Sequence, residues 1–135
     1  MRAPTLLTRL WRLQRRLLER AKPCLKAEGI DFKRYFLLAQ IERGGRPGQL
    51  AQALHLPPPS VSHLLAGLEE AGLIVRRPNP EDRRSTLLEL TEAGRRRLGA
   101  ARGCLEAAGE AALARLDEDE KHALIRLLER LEEEA

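Results

Sequence analysis

The stretch from Leu50 to Gly94 decides the fold, and it reads LAQALHLPPPSVSHLLAGLEEAGLIVRRPNPEDRRSTLLELTEAG. Its first half contains all but the first residue of a short helical segment, residues 49–54. A second periodic segment follows and runs through Val61 to Gly72. Ala51 is small enough to lie where two helices cross, and Leu54 and Val61 are placed as core anchors. His55 occupies the turn position where glycine is usual, and histidine is among the residues that tolerate a left-handed backbone. These features predict a helix-turn-helix.

Three prolines at positions 57–59 mark the start of the second helix. Proline has no N–H group, and N–H groups in the first helical turn have no partner within the helix, so proline is tolerated there. The N-terminal end of a recognition helix is the part that reaches base edges in the major groove. We therefore expect the outward residues of this end to contact DNA, namely Pro58, Pro59, Ser60, Ser62 and His63. The alternative is an ordinary polar helix face.

A β-hairpin is predicted after Gly72, because the strand-like runs LIVRR and TLLEL flank the polar, breaker-rich segment PNPEDRRS. Arginines on a narrow two-stranded projection can enter a minor groove or clamp phosphates. The candidates for DNA contact on this hairpin are Arg76, Arg83 and Arg84, beside Arg77. Asp82 lies next to them, and we expect it to orient an arginine by pairing with it.

Helical segments precede and follow this region. A first amphipathic helix runs from Leu6 to about Ala21 and is interrupted by Pro23; a second, capped by Asp31, ends at GGRPG. A long helix starts at Thr91 and Glu92, and the acidic run DEDE, residues 117–120, opens the last helix. The terminal helices carry narrow leucine and alanine stripes, which favour a twofold homodimer. An intramolecular bundle is the alternative.

The 135-residue length fits one domain, residues 1–135, and its composition excludes several classes of protein. Charge is uneven: residues 1–102 hold 20 Lys and Arg against 10 Asp and Glu, whereas residues 103–135 hold 4 against 10. Such a basic body is expected of nucleic-acid binders, although solvated helix faces could also produce it. No signal peptide or membrane-spanning segment is evident, so we expect a cytoplasmic protein. Cys24 and Cys104 form no metal-binding or disulfide pattern, and we expect two inert thiols. We find no candidate catalytic residue, metal site or cofactor.

The quoted stretch resembles the signature region of the MarR family of bacterial transcription regulators. The resemblance rests on the helix-turn-helix, on LEEAGLIVR at residues 68–76, on the segment NPEDRR, and on LELTEAG at residues 88–94. It implies a mainly α winged helix-turn-helix with a small β-hairpin wing. The implied layout has a DNA-binding lobe at about residues 45–92 and dimerisation helices at about residues 3–22 and 93–134.

The same resemblance implies roles for individual residues. In the family pattern D-x-R, here Asp82 and Arg84, the arginine enters the minor groove and the aspartate braces the loop. This chain departs from the family at three positions, since Asn79 replaces a usual Asp, Pro57 a usual Ser or Thr helix cap, and His63 a frequent arginine. The first departure leaves the bracing of the wing open, and the third means that base preference cannot be taken from relatives.

The resemblance implies a repressor that, as a homodimer, binds a pseudo-palindromic duplex and is released by a small aromatic effector. Trp11 and Tyr35 are the candidates for lining an effector pocket, although packing in the core or in the dimer is the favoured explanation for both. Two alternatives stay open: a winged helix that only docks protein partners, and a regulator that senses oxidants through a thiol. Paired arginines beside small polar residues favour DNA binding over protein docking.

Overall fold

The computed structural model describes residues 3–133, and it confirms the mainly helical class with one small hairpin. The elements, in chain order, are α1 (Ala3–Ala27), α2 (Phe32–Glu42), α3 (Pro47–Leu54), α4 (Pro58–Glu70), β1 (Ile74–Asn79), β2 (Asp82–Leu90), α5 (Glu92–Ala112) and α6 (Glu118–Glu132). Residues 1, 2, 134 and 135, which belong to the predicted domain and helix boundaries, lie outside the described residues.

Two compact units make up the chain. The first, which we call the terminal unit, comprises the residues up to Ala21 and those from Leu105 onward; the second, the central unit, runs from Lys22 to Cys104. The central unit therefore contains the end of α1, the elements from α2 to β2 and the first half of α5.

The core of the central unit is built where α2 packs on α4 and β2, α3 packs on α4, and α4 packs on β1. It is made almost wholly of branched aliphatic side chains. Its buried members include Leu37, Leu38, Ile41, Leu50, Val61, Leu65, Leu68, Leu73, Ile74, Leu88 and Leu98. Because both helices of the helix-turn-helix contribute to this core, their orientation to the hairpin is fixed by packing.

Pro23 does not end the first helix as the sequence predicts, because α1 continues to Ala27 with the proline inside it. A proline in a helix removes one backbone hydrogen bond, a loss that packing of the neighbouring turns can offset. Here Ala21 and Leu25, on either side of the proline, are both buried. Burial of the helix face therefore prevails over the local preference of Pro23.

The start of α5 is fixed against the residue that precedes the hairpin. Thr91 Oγ1 donates to the carbonyl of Gly72 at 2.6 Å and accepts from the Gly94 amide at 3.0 Å. Gly94 itself is buried, and a Cβ at this position would overlap the carbonyl oxygen of Leu73. Only glycine fits this approach, which explains the glycine of the exit sequence LELTEAG.

The two cysteines are not free thiols, and the expectation of two inert thiols is wrong. A disulfide joins Cys24 on α1 to Cys104 on α5 across 80 residues of sequence, with 5.6 Å between the Cα atoms. No spacing motif in the sequence predicts this pair, because the disulfide depends on how the helices of the central unit pack. Noncovalent contacts also hold α5 in the central unit, because Arg97 donates to the carbonyl of Gly29 and Arg102 donates to Glu42. The hydrogen bond to Glu42 raises the pKa of the Arg102 guanidinium.

The terminal unit leaves large apolar side chains on the surface. Asp117 caps α6 by accepting from the Glu120 amide, as the acidic run predicts. No residue of α6 is buried, and among the described residues of the unit seven large apolar side chains are exposed: Leu6, Leu7, Leu10, Trp11, Ile125, Leu127 and Leu131. No helix in residues 3–133 is long and apolar enough to cross a membrane.

Candidate DNA-binding interface

The turn between α3 and α4 has the geometry that the sequence predicts. His55 lies in the left-handed region at φ 53° and ψ 38°, and its amide donates to the end of α3. Ala51 is buried at the position where α3 meets α4, and Val61 anchors α4 in the core. A side chain in place of glycine at the turn is therefore accommodated by the backbone tolerance of histidine.

The N-terminus of α4 carries no side-chain cap, and the three prolines explain why it needs none. Pro57 is the N-cap residue, and Pro58 and Pro59 are the first helical residues. These three positions have no N–H group, and the Ser60 amide donates to the Pro57 carbonyl at 3.0 Å. A helix N-terminus ordinarily binds phosphate through free amides. At this end of α4 no such amide is left, so α4 offers a phosphate no backbone donor here.

The outer face of α4 consists of the residues predicted to contact DNA. Pro58, Pro59, Ser60, Ser62 and His63 are all exposed, while the opposite face of the helix is buried in the core. The exposed set combines a rigid start with short hydroxyl groups and one imidazole. Hydroxyl and imidazole groups can each donate or accept at a base edge.

The hairpin is longer than the sequence predicts, and it contains an irregularity at its tip. Antiparallel pairing from Ile74 opposite Leu90 continues to Pro78 opposite Thr86, but Asn79 then pairs with Asp82. The register shift leaves residues 83–85 of β2 without partners on β1. Such bulges re-aim side chains near functional sites. Arg83 and Arg84 both lie in this bulge, and both are exposed.

Two side chains brace the tip of the wing. Asn79, 6% exposed, accepts from the Glu81 amide at 3.0 Å and donates to Ser85 Oγ at 2.8 Å. Asp82 accepts from the backbone amide of Arg84 at 2.9 Å. The predicted pairing of Asp82 with an arginine side chain is not observed, because its carboxylate closes the tight turn of the main chain instead. Sequence reasoning left the role of Asn79 open; its amide holds both sides of the bulge.

The arginines of the hairpin differ in their partners. Arg76 pairs with Glu69 at 3.4 Å and Arg77 with Glu89 at 2.7 Å. Within residues 3–133, no carboxylate forms an ion pair with Arg83 or Arg84. The two guanidinium groups at the tip are therefore free of ion pairs within the described residues, whereas those of Arg76 and Arg77 are paired with carboxylates.

A cleft of about 530 Å³ lies beside the wing in the central unit, and sequence reasoning missed its main cation. It is lined by Arg46, Pro47, Gly48, Gln49, Gln52, Arg84, Ser85 and Thr86. Its lining includes two arginines and no carboxylate, and Arg46 forms no ion pair among the described residues. Arg46 belongs to GGRPG, which as sequence indicates only the end of a helix. Its proximity to Arg84 is a product of tertiary packing.

A second cleft, of about 520 Å³, is bounded by the end of α2, the β2 residues 87–90 and Arg95. Neither Trp11 nor Tyr35, the predicted effector residues, lines it. Trp11 lies in the terminal unit and is 64% exposed, and Tyr35 lies in the central unit beside the Phe32 ring. Among residues 3–133, no group of three or more His, Cys, Asp or Glu side chains is placed to hold a metal ion.

Comparison with known proteins agrees with this geometry. Residues 28–85 match the model of the MarR family. A 105-residue stretch is 31% identical to the HTH-type transcriptional regulator YdgJ of Bacillus subtilis, covering 76% of this chain and 64% of that protein. The chain thus spans less than two thirds of the length of that relative.

Solved structures extend the likeness over most of the chain. The repressor CouR, bound to a 23-mer DNA duplex, is 28% identical with a TM-score of 0.79, covering 92% of this chain and 89% of that one. The MarR family protein Rv2887 of Mycobacterium tuberculosis, in complex with salicylic acid, is 27% identical with a TM-score of 0.75, covering 90% and 92%. The resemblance to the MarR family that was inferred from the residues is confirmed, by the family model over residues 28–85 and by these solved structures over most of the chain.

Proposed function

We propose that the chain is a sequence-specific, double-stranded-DNA-binding transcription regulator that acts as a repressor. The observation that carries this proposal is the unpaired arginine couple, Arg83 and Arg84, in the bulge of a wing that belongs to the same unit as the exposed face of α4. The likeness to CouR, a repressor bound to a DNA duplex, supports it. Such a protein would work in the bacterial cytoplasm, by binding and without a catalytic step.

The contacts divide among three groups of side chains. Ser60, Ser62 and His63 of α4 would read base edges in the major groove, while Pro58 and Pro59 fix where that helix begins. Arg84 would enter the minor groove and Arg83 would contact phosphate.

Two further arginines have different proposed roles. Arg46 would contact phosphate from the cleft beside the wing, where it lies near Arg84 with no carboxylate in the lining. Arg76 forms an ion pair with Glu69, and this ion pair is weak because it is exposed. Arg76 would contact a DNA phosphate only when that ion pair breaks.

The exposed apolar side chains of the terminal unit support a homodimer. Monomeric proteins rarely leave so many large apolar side chains exposed, and a second copy offers the same side chains in return. Such a dimer would place two copies of α4 in successive major grooves about 34 Å apart, which requires a pseudo-palindromic operator.

A small aromatic acid is the proposed effector, and the cleft at Arg95 is its proposed site. Rv2887, bound to salicylic acid, supports the ligand class. The cleft combines apolar lining from Leu87, Leu88 and Leu90 with the exposed guanidinium of Arg95. Glu42 and Glu89 also line it, but their carboxylates form ion pairs with Arg102 and Arg77. Titration of the protein with salicylate should show binding that Arg95→Ala weakens at least tenfold. No binding at millimolar salicylate, or equal binding by the variant, would argue against this site.

Selection of duplexes from a random pool tests the proposed function. We expect enrichment of a pseudo-palindrome at moderate salt, and His63→Ala should change which bases are enriched in each half-site. His122→Ala, the same substitution at an exposed histidine of α6, should leave the selected sequence unchanged. If no duplex were enriched over the starting pool, the protein-docking alternative would take precedence.

A further inference from the structure

The disulfide of the central unit joins two cysteines of unequal accessibility. Cys24 is exposed near the end of α1, whereas Cys104 is 4% exposed on α5. Reaction of a disulfide with a thiol requires access of the attacking thiolate to one of the two sulfurs. Solvent reaches the residue on α1 and is largely excluded from the residue on α5.

The segment of α5 that carries Cys104 is also held to the rest of the central unit by noncovalent contacts. Within the central unit, α5 buries Leu98 and Ala101, Arg97 donates to the Gly29 carbonyl at 3.2 Å, and Arg102 donates to Glu42 at 2.8 Å. The packing of this part of α5 therefore does not depend on the covalent bond alone. We expect the bond to open and close without unfolding the unit.

The compartment in which the proposed function would operate favours a transient disulfide over a permanent one. A regulator of chromosomal DNA works in a compartment whose thiol systems keep cysteines reduced, and disulfides found there are usually transient and redox-sensing. In this step the inference rests on the proposed function. The chemical test below needs no DNA, so its failure is distinguishable from a failure to bind an operator.

We propose that Cys24 and Cys104 form a reversible thiol–disulfide switch in which Cys24 is the sulfur that exchanges with small thiols. On opening, a thiolate of the glutathione class attacks Cys24 Sγ and forms a mixed disulfide, and the electron pair of the broken bond leaves on Cys104 as a thiolate. A second small thiolate then attacks the small-molecule sulfur of the mixed disulfide. The products are an oxidised small disulfide and the Cys24 thiolate.

Closing follows the reverse route. A small-molecule disulfide reacts with the Cys24 thiolate to form the mixed disulfide and release one small thiolate. The Cys104 thiolate then attacks Cys24 Sγ and releases the second. Each cycle therefore moves two electrons between the protein and the small thiol pool. Because the exchanging residue is exposed and its partner is shielded, the two single-cysteine variants must behave differently.

Mass spectrometry of the folded full-length variants tests this asymmetry. Incubated with oxidised glutathione, Cys104→Ser should gain one glutathione on Cys24, whereas Cys24→Ser should react at least tenfold more slowly. Far-ultraviolet circular dichroism verifies that both variants are folded. Equal reaction rates of the two folded variants would overturn the assignment of Cys24 as the exchanging sulfur.

The wild-type protein provides a second measurement that does not depend on substitutions. In a series of glutathione redox buffers, the number of alkylatable thiols should change from none to two while the helical signal stays constant. Hydrogen exchange in the α5 segment 92–104 should accelerate in the reduced protein. A bond that excess reduced glutathione cannot open in the folded protein, or that opens only on unfolding, would show a permanent structural disulfide and refute the switch.

Discussion

At the residue scale, the wing depends on an asparagine that the sequence presents only as a departure from its family. Asn79 is buried, and its amide accepts from Glu81 and donates to Ser85. An aspartate could accept from the same amide and also from the Ser85 hydroxyl, which rotates freely. The amide and the carboxylate are thus two solutions to one requirement, the bracing of a bulge that carries Arg83 and Arg84.

Asn79→Ala tests this brace. The change removes the buried side chain that accepts from the Glu81 amide and donates to the Ser85 hydroxyl, so the free energy of unfolding should fall by about 1–3 kcal/mol. Urea denaturation measures the loss. Asn79→Asp is the matched control and should retain most of the stability at neutral pH. A loss below 0.5 kcal/mol on the alanine change, on the order of an ordinary surface substitution, would contradict the brace.

Arg46 provides the second prediction at this scale, because only tertiary packing places it near Arg84. If it contacts one phosphate, Arg46→Ala should make the dependence of log K on log salt shallower by about 0.9 and weaken all duplexes alike. Binding isotherms between 50 and 200 mM salt measure both effects. Arg43→Ala removes another exposed arginine, at the end of α2, and serves as the control. An unchanged slope for Arg46→Ala would remove this residue from the interface.

At the scale of elements, the pattern of polar and apolar residues predicts most of the fold, and packing decides what it misses. Local sequence patterns predict the helix-turn-helix, the hairpin, the cap at Asp31 and the start of the last helix at the acidic run 117–120, because these depend on local chemistry. The continuation of α1 through Pro23 is missed because burial of Ala21 and Leu25 opposes the local preference. The register shift at Asn79 is missed because a bulge depends on hydrogen bonds between residues several positions apart.

The junction between the hairpin and α5 gives a prediction for an element. A methyl group at Gly94 would overlap the Leu73 carbonyl, so Gly94→Ala should displace α5 from the hairpin and lower the melting temperature by several degrees or more. Gly99→Ala, in the same helix with open space at its Cβ position, should stabilise by up to about 1 kcal/mol. Calorimetry of both variants distinguishes them; similar melting temperatures would show that the close approach at Gly94 is not restrictive.

At the scale of the whole molecule, the amphipathic stripes of the terminal helices predict apolar seams for a partner copy, and the structure leaves large apolar side chains of α1 and α6 exposed. The stripe of α5 differs, because Leu98, Ala101 and Ala108 are buried. The disulfide could not be predicted, because its cysteines are 80 residues apart in sequence. The structural roles of Arg46 and Asn79 likewise could not be predicted from the sequence. The sequence therefore identifies the surface that we propose binds DNA, but the side chains that support that surface emerge only from packing.

The dimer gives the prediction at this scale. Leu127 is 51% exposed, and Leu127→Glu would place a charge in the proposed interface, where its burial is unfavourable. We expect the dissociation constant of the dimer to rise at least 100-fold, as measured by sedimentation equilibrium. Arg126→Glu introduces the same residue at the exposed neighbouring position and should have a much smaller effect. A wild-type chain that sediments as a monomer at micromolar concentration would contradict the dimer.

The DNA affinity of Arg84→Ala compared with that of Arg77→Ala tests the central claim most directly. Both changes remove one arginine from the same hairpin, but Arg77 is paired with Glu89, whereas Arg84 lies unpaired in the bulge. On the selected operator, fluorescence anisotropy should show roughly tenfold weaker binding for Arg84→Ala, about 1.4 kcal/mol, with a salt dependence shallower by about 0.9. Arg77→Ala should bind nearly as the wild type does. Equal affinity and an equal salt slope for Arg84→Ala and the wild type would contradict the account.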